Sequence, residues 1–435
     1  MKAKVITGIV LALLFIGVLT LAFNIQQVKA SGTIYIRADG LIEGTDKIIN
    51  ENNITYRFKN NITDSIVVER DHIVIDGAGY TLQGTGGGSP GINLTMRSNV
   101  TITNMKIDGF WSGIYLPYSS NNTISGNNIT NIEVYGITLG TSDYNNITGN
   151  NISSMGNCSI LLASSDNNSI TKNNMTNTAQ AVIISGSNNN DFSRNLIANT
   201  AQGITLQLAS TGNRFFHNTF LCSFNNVHIV TSGYANVWDD GYPSGGNYWN
   251  DYNGTDLNYT QHQNETGSDG IGDTPYFIDD NNQDNFPLMN PWNPIETFIE
   301  VQGVPHSVII ESNTTIDEVG QTGSWLHFRS SGPTGETGYV RLVIPAIFNA
   351  SNIRVFIDGI QVFPIVTYNE NQTLIYFEFQ LSTHNILVQF GPTVGGISLP
   401  VDKLGLLAPY IGLTILLAAA VVAVVYVKKR KRNRD

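Results

Sequence analysis

The chain has 435 residues, a net charge of −11 and only 13% charged residues. An acidic chain poor in Lys and Arg has no basic face for nucleic acid, so that class of partner is set aside. Two cysteines, Cys158 and Cys222, make no disulfide framework.

Residues 1–30 read as a secretory signal peptide. Lys2 and Lys4 precede an apolar run, and Val28 and Ala30 place modest side chains ahead of a cut before Ser31. An uncleaved anchor is the other reading, because the run is long. Residues 31–65 read as an N-terminal cap over a solenoid, which cannot leave its apolar cross-section open.

Residues 66–233 carry a repeat. Asn122, Asn145, Asn168, Asn190 and Asn213 each open a similar line, at steps of 23, 23, 22 and 23 residues. Each line holds an apolar residue (Ile124, Ile147, Ile170, Phe192, Phe215) and an Asn three positions on: Asn127, Asn150, Asn173, Asn195 and Asn218. A second apolar register pairs residues two apart, as in Ile114/Leu116, Ile137/Leu139 and Ile160/Leu162. Spacing by two is the period of a strand. One coil per repeat stacks equivalent residues roughly 4.8 Å apart. The pattern therefore predicts a right-handed parallel β-helix of about seven coils, with the recurrent Asn as an inward ladder. Coils about three apart would hold Cys158 and Cys222 roughly 14 Å from each other, too far for a bridge. Both read as buried apolar residues.

Residues 234–294 are aromatic and acidic. Their Trp, Tyr and Phe read chiefly as cover for the last coil, and a sugar-stacking platform is the alternative. Residues 295–391 read as about eight strands separated by turns, which suggests an immunoglobulin-like β-sandwich. A linker, 392–403, leads to an apolar stretch at 404–427 that is long enough to span a bilayer. The basic residues of 428–435 follow at once. The positive-inside rule places them in the cytoplasm and the rest outside. The expected location is the cell membrane, as a single-pass protein with an extracellular ectodomain.

The segment Ile73-Val-Ile-Asp-Gly-Ala-Gly-Tyr-Thr-Leu82, the Asn-x-Ile coils, and the closing Gly-Gly-Asn-Tyr-Trp and Phe-Pro-Leu-Met motifs resemble the NosD-type family. These are secreted right-handed β-helix proteins related to carbohydrate-binding and sugar-hydrolase (CASH) modules. The resemblance covers about residues 33–293. It implies a pectate-lyase-like fold, an extracytoplasmic setting and, for the founding members, copper delivery. The layout with a C-terminal anchor resembles archaeal surface members. Copper is implied by this resemblance alone, since no group of Cys, Met or His stands in the sequence for it.

Asp143 and Asp166, 23 residues apart, share a phase and would stack about 5 Å apart. Such carboxylates suit a retaining pair or a metal, or serve as turn residues bonding local backbone. Lys106, Lys172, Arg194 and Arg214 read as spread over different phases, so no basic group is expected beside acids. Asp280, Asn282 and Asp284 have the alternate-oxygen spacing of a calcium loop, with Asp269 and Asp273 nearby; solvated turns explain the same residues. Sequons at Asn53, Asn61, Asn93, Asn128, Asn151 and Asn174 are candidate glycosylation sites.

The expected function is non-catalytic binding of carbohydrate or cell-envelope polymer, or surface display. A polysaccharide lyase or glycoside hydrolase acting on an extended glycan is the second reading. A NosD-like periplasmic copper-binding accessory protein is the third.

Overall fold

The computed structural model describes residues 32–390, apart from 85, 87, 293–294, 302–303, 313, 333–336, 347–352 and 369–371. The expected signal peptide and transmembrane segment lie outside the described residues. Among the described residues, no helix is long and apolar enough to cross a membrane.

Apolar residues at strand spacing cannot be hidden by one short strand, so each coil lays its apolar side against the next. Three mainly parallel sheets of ten, eight and nine strands wind around one core. In the ten-stranded sheet Ile114, Ile137, Ile160, Val182, Ile204 and Val227 lie in register. The eight-stranded sheet aligns Ile107, Ile129, Ile152, Met175, Ile197, Phe220 and Trp249. The nine-stranded sheet aligns Ile124, Ile147, Ile170, Phe192 and Phe215. Nearly all are buried, and each such side chain contributes roughly 1.5–3 kcal/mol.

Buried amides hold the corners. Asn150 donates both its backbone N–H and its Nδ2 to Asn173 Oδ1, each at 3.0 Å. The pattern recurs from Asn127 through Asn218. A second inward ladder joins Asn122, Asn145, Asn168, Asn190 and Asn213. A third column of serines, Ser119, Ser142, Ser165, Ser187 and Ser210, does the same at the remaining corner.

The coil count corrects the expectation of about seven, because the eight-stranded sheet alone records eight levels. The coiling starts inside the expected cap: Ile34–Ile36 pairs in parallel with Ile66–Val68. It ends inside the closing segment, where Tyr248–Trp249 pairs in parallel with Thr219–Leu221. Both terminal coils depart from the 23-residue period, so periodicity alone misses them. Antiparallel strands Ile42–Glu43 and Ile48–Asn50 blunt the first edges. At the far end rings extend the core: Phe192, Phe215 and Trp238 stack at centroid spacings of 4.9 and 4.2 Å. Phe220, Trp249 and Tyr276 stack at 4.4 and 4.3 Å.

Among the described residues the following domain has ten strands in two five-stranded antiparallel sheets, rather than about eight strands. Thr315–Thr322 escaped the sequence reading because it lacks alternation; it is an edge strand, bulged between Asp317 and Gly320. Ile360–Val362 and Ile365–Tyr368 are separate strands, in different sheets. One strand, Thr337–Pro345, is buried on both faces, and its Arg341 is 1% exposed. Its outer face meets the closing segment, with Arg341 Nη2 donating to Ser244 O at 2.7 Å.

Candidate functional site

In each coil of the repeat the residue before the ladder Asn turns through a left-handed bend. Gly126 and Gly149 fill it in two coils, then Lys172, Arg194 and His217, with φ of 55°, 58° and 57°. The bend recurs with the coil, so it carries no function by itself. It does place two cations and an imidazole in one column. Lys172 and Arg194 therefore share a phase, one coil apart, and this corrects the reading that spread them over different phases. Their position immediately before Asn173 and Asn195 was the signal that would have shown it.

Glu296, on the strand Ile295–Val301, bridges the cations. It accepts Lys172 Nζ at 2.8 Å and pairs with Arg194 Nη1. Burial pulls its carboxyl upward, but the Lys172 hydrogen bond and the Arg194 charge outweigh this and hold it below the usual range. His217 is buried; its Nε2 donates to Ser244 O at 3.0 Å. That tautomer leaves Nδ1 bare and without a partner. Burial, with Arg341 and Arg194 nearby, holds the imidazole well below its ordinary value, so it is neutral. Its ring stacks on Trp292 at 3.6 Å, nearly parallel at 2°. Trp292 is tied to the solenoid by its backbone N–H, which donates to Thr219 Oγ1 at 2.9 Å.

Between these groups lies a groove of about 660 Å³ across successive rungs, within the size range of ligand sites. Its lining includes Lys172, Asn174, Arg194, Leu196, Leu221, Trp292 and Glu296. Leu196 and Leu221 each remain 37% exposed, although they sit on a strand face otherwise rich in Asn, Ser and Thr. The arrangement can hold an extended ligand with an anionic group against the cations and an apolar face against Leu and Trp. Among the described lining residues Glu296 is the one carboxylate. Glycoside hydrolysis ordinarily uses two.

The residues singled out from the sequence lie elsewhere. Asp143 Oδ1 accepts the Asp166 N–H at 2.7 Å, and Asp166 Oδ1 accepts the Asn188 N–H at 2.7 Å. The two carboxylates do stack, as steps of a turn column. Asn282 and Asp284 point inward and terminate the amide ladders. Asn282 Oδ1 accepts the Asn236 N–H at 2.9 Å and Trp238 Nε1 at 3.0 Å. Asp284 Oδ2 accepts the Asn247 N–H at 2.7 Å and Trp249 Nε1 at 2.9 Å. Asp280 is exposed between the two strands. Asp273 accepts the N–H groups of Leu257 and Asn258, both at 3.0 Å, and Asp269 accepts that of Ile271 at 3.0 Å. Among the described residues, no group of three or more His, Cys, Asp or Glu converges to hold a metal. Of the single sequons, Asn53 is exposed, Asn61 Oδ1 accepts the Thr81 N–H at 2.9 Å, and Asn93 Oδ1 accepts the Thr95 N–H at 2.9 Å.

Buried Asp269 and Asp284, with half-buried Asp256, make stability depend on pH. Burial pushes Asp284 and Asp256 up to about 7 and Asp269 up to about 6. An unfolded Asp titrates near 3.9, so between these values the folded chain holds protons that the unfolded chain releases. That stability is complete below about pH 4 and is lost as pH rises through 6 to 7. Neutral His217 acts oppositely, losing its share as pH falls below about 6.5. Three carboxyls outweigh one imidazole. The melting temperature is expected to be a few degrees higher at pH 5 than at pH 8; an equal or inverted order refutes the balance.

The family model described as periplasmic copper-binding protein (NosD) matches residues 26–254. The chain belongs to the NosD family. No curated protein matches it. Among solved structures, the alginate lyase from Paenibacillus sp. str. FPU-7 has 18% identity, over 50% of this chain and 98% of its own, with a TM-score of 0.29. Full-length tailspike protein 2 of Escherichia coli O157:H7 bacteriophage CAB120 has 12% identity, over 76% of this chain and 57% of its own, with a TM-score of 0.28. The tailspike gp49 of Acinetobacter baumannii bacteriophage Fri1, a capsular polysaccharide depolymerase, has 10% identity, over 77% and 71%, with a TM-score of 0.27. Likeness at this level says nothing of what the present chain binds.

The described donors of this NosD chain do not assemble a copper site. Copper prefers grouped thiolate, thioether or imidazole ligands. Cys158 opens the strand Cys158–Ala163 and Cys222 follows the strand Thr219–Leu221; both are buried, and burial pushes their thiols up to about 12 and about 11. His217 offers one bare nitrogen, enclosed by Trp292.

Proposed function

We propose that this NosD-family chain is a membrane-anchored surface protein whose solenoid binds an extended carbohydrate or cell-envelope polymer without cleaving it. The observation that carries the reading is the groove across the rungs, with Lys172 and Arg194 one coil apart, Leu196 and Leu221 on its floor, and Trp292 at its side. A polymer lying along stacked rungs meets side chains at a regular spacing of roughly 4.8 Å. The single carboxylate in the lining favours binding over hydrolysis. In this reading the two-sheet domain is an immunoglobulin-like sandwich that spaces the solenoid from the membrane. The span at 404–427 anchors it, with the basic tail in the cytoplasm.

The test is a glycan array probed with the full-length chain in nanodiscs, comparing neutral with uronate-bearing polymers. Acidic polymers are expected to bind. Replacing both Lys172 and Arg194 with Ala is expected to weaken binding tenfold or more, equivalent to at least about 1.4 kcal/mol. Glycan fragments released during the incubation overturn the non-catalytic reading. Unchanged affinity in the double variant removes the groove as the site.

A further inference from the structure

Three sequons form a vertical column on the outside of the eight-stranded sheet. Asn128-Ile-Thr130, Asn151-Ile-Ser153 and Asn174-Met-Thr176 pair residue by residue, so both the acceptor Asn and the hydroxyl residue are in register. Their amides bond along the column: Asn174 Nδ2 donates to Asn151 Oδ1 at 3.0 Å, and Asn151 Nδ2 donates to Asn128 Oδ1 at 3.0 Å. The bonds run one way, which makes the three nitrogens unequal. Those of Asn151 and Asn174 are committed to a neighbour. Among the described residues Asn128 Nδ2 makes no hydrogen bond. Exposure follows the same order, since Asn128 and Asn151 are exposed whereas Asn174 is half-buried, with its Oδ1 enclosed.

We propose that this column takes one N-linked glycan, at Asn128. In the transfer, Asn128 Nδ2 attacks the anomeric carbon of a lipid-phosphate-linked oligosaccharide. The new C–N bond forms as the bond from that carbon to the phosphate oxygen breaks. The electron pair leaves with the lipid phosphate, and the amide nitrogen gives up one proton to the transferase. Asn151 and Asn174 stay unmodified because their Nδ2 groups are held. A second glycan one rung away would stand at roughly 4.8 Å, which leaves no room for its hydration. The assignment protects the groove. Asn174 lies in its lining, and a glycan there would fill it. Asn128 is two rungs away, at roughly 10 Å.

The assignment presupposes the exported location proposed above. The test is site-by-site glycan occupancy by mass spectrometry, after deglycosylation in heavy-oxygen water, on the full chain exported by an N-glycosylating host. Occupancy at Asn128 is expected to exceed that at Asn151 and Asn174 together by tenfold or more. Asn128→Ala frees Asn151 Nδ2, so the glycan is expected to move to Asn151. Thr130→Ala destroys the sequon but keeps the ladder bond, so the column is expected to stay bare. Two glycans on one molecule within the column, or Asn174 as the main site, overturns the proposal. A chain glycosylated at Asn61 yet bare in this column was exported and sinks the assignment alone. A chain with no N-glycan anywhere sinks it too.

Discussion

Arg341→Met is expected to cost about 3–5 kcal/mol. Arg341 and Glu311 are 1% and 8% exposed, and Arg341 Nη1 donates to Glu311 Oε2 at 2.5 Å. Arg341 Nη2 also reaches the carbonyls of Pro243 and Ser244 in the closing segment. Without the guanidinium, Glu311 is a buried carboxyl without its ion-pair partner, and two carbonyls lose their donor. Burial already pulls the Glu311 carboxyl up against the pull of Arg341. The double variant Arg341→Met, Glu311→Leu removes the stranded charge as well. It is expected to recover more than half of the loss, because replacing a buried ion pair by apolar groups is often near neutral. Urea unfolding followed by tryptophan fluorescence measures both. A double variant no more stable than Arg341→Met would place the loss in the carbonyl contacts, not in the ion pair.

Asn173→Ala is expected to destabilise the middle of the solenoid by about 4 kcal/mol. Four buried groups lose a bond: the Asn150 N–H and Ile147 O lose their side-chain partner, whereas Asn150 Nδ2 keeps Ile124 O and Asn195 Oδ1 keeps the residue-173 N–H. Asn173 Oδ1 accepts the Asn150 N–H at 3.0 Å and Asn150 Nδ2 at 3.0 Å; its own Nδ2 donates to Ile147 O at 2.8 Å and to Asn195 Oδ1 at 3.1 Å. Each stranded buried group costs about 1–3 kcal/mol, with some relief from local relaxation. A solenoid couples mainly nearest neighbours, so the damage should be local. Hydrogen exchange is expected to quicken in the rungs around residues 150 and 195 and to remain slow near residue 107. Asn146→Ala, on the exposed face of a neighbouring strand, is the control and should stay within about 0.5 kcal/mol. A cost for Asn173→Ala below about 1 kcal/mol would mean that the amides are passengers in the corner, not its fastening.

Much of the solenoid is legible in the sequence for the same reason that its damage is local. The partner of Ile147 on the next rung is Ile170, one period on. Contacts that recur at a fixed separation write themselves into the sequence as a period. The two outer phases are legible in the same way. Lys172 and Arg194 share a phase through their common place before a ladder Asn, which residue type by itself does not reveal. Asp143 and Asp166 illustrate the limit of spacing. It put them together correctly, but their N–H donors come from the next coil's backbone, which side-chain chemistry alone does not reveal. For Asn282 and Asp284 the alternate-oxygen spacing is simply that of a strand with one face inward. Their oxygens meet Trp238, Trp249 and two ladder residues rather than a cation.

By itself, then, the sequence determined the all-β class, the coil and the inward ladder, because each rests on contacts one period apart. Only the tertiary structure decided where the coiling starts and stops, and what the groove is made of. Trp292 meets Thr219 across 73 residues, and Glu296 meets Lys172 across 124. No period links such pairs. They become neighbours only when the chain leaves the last coil, covers its open end with stacked rings, and returns along the side of the solenoid.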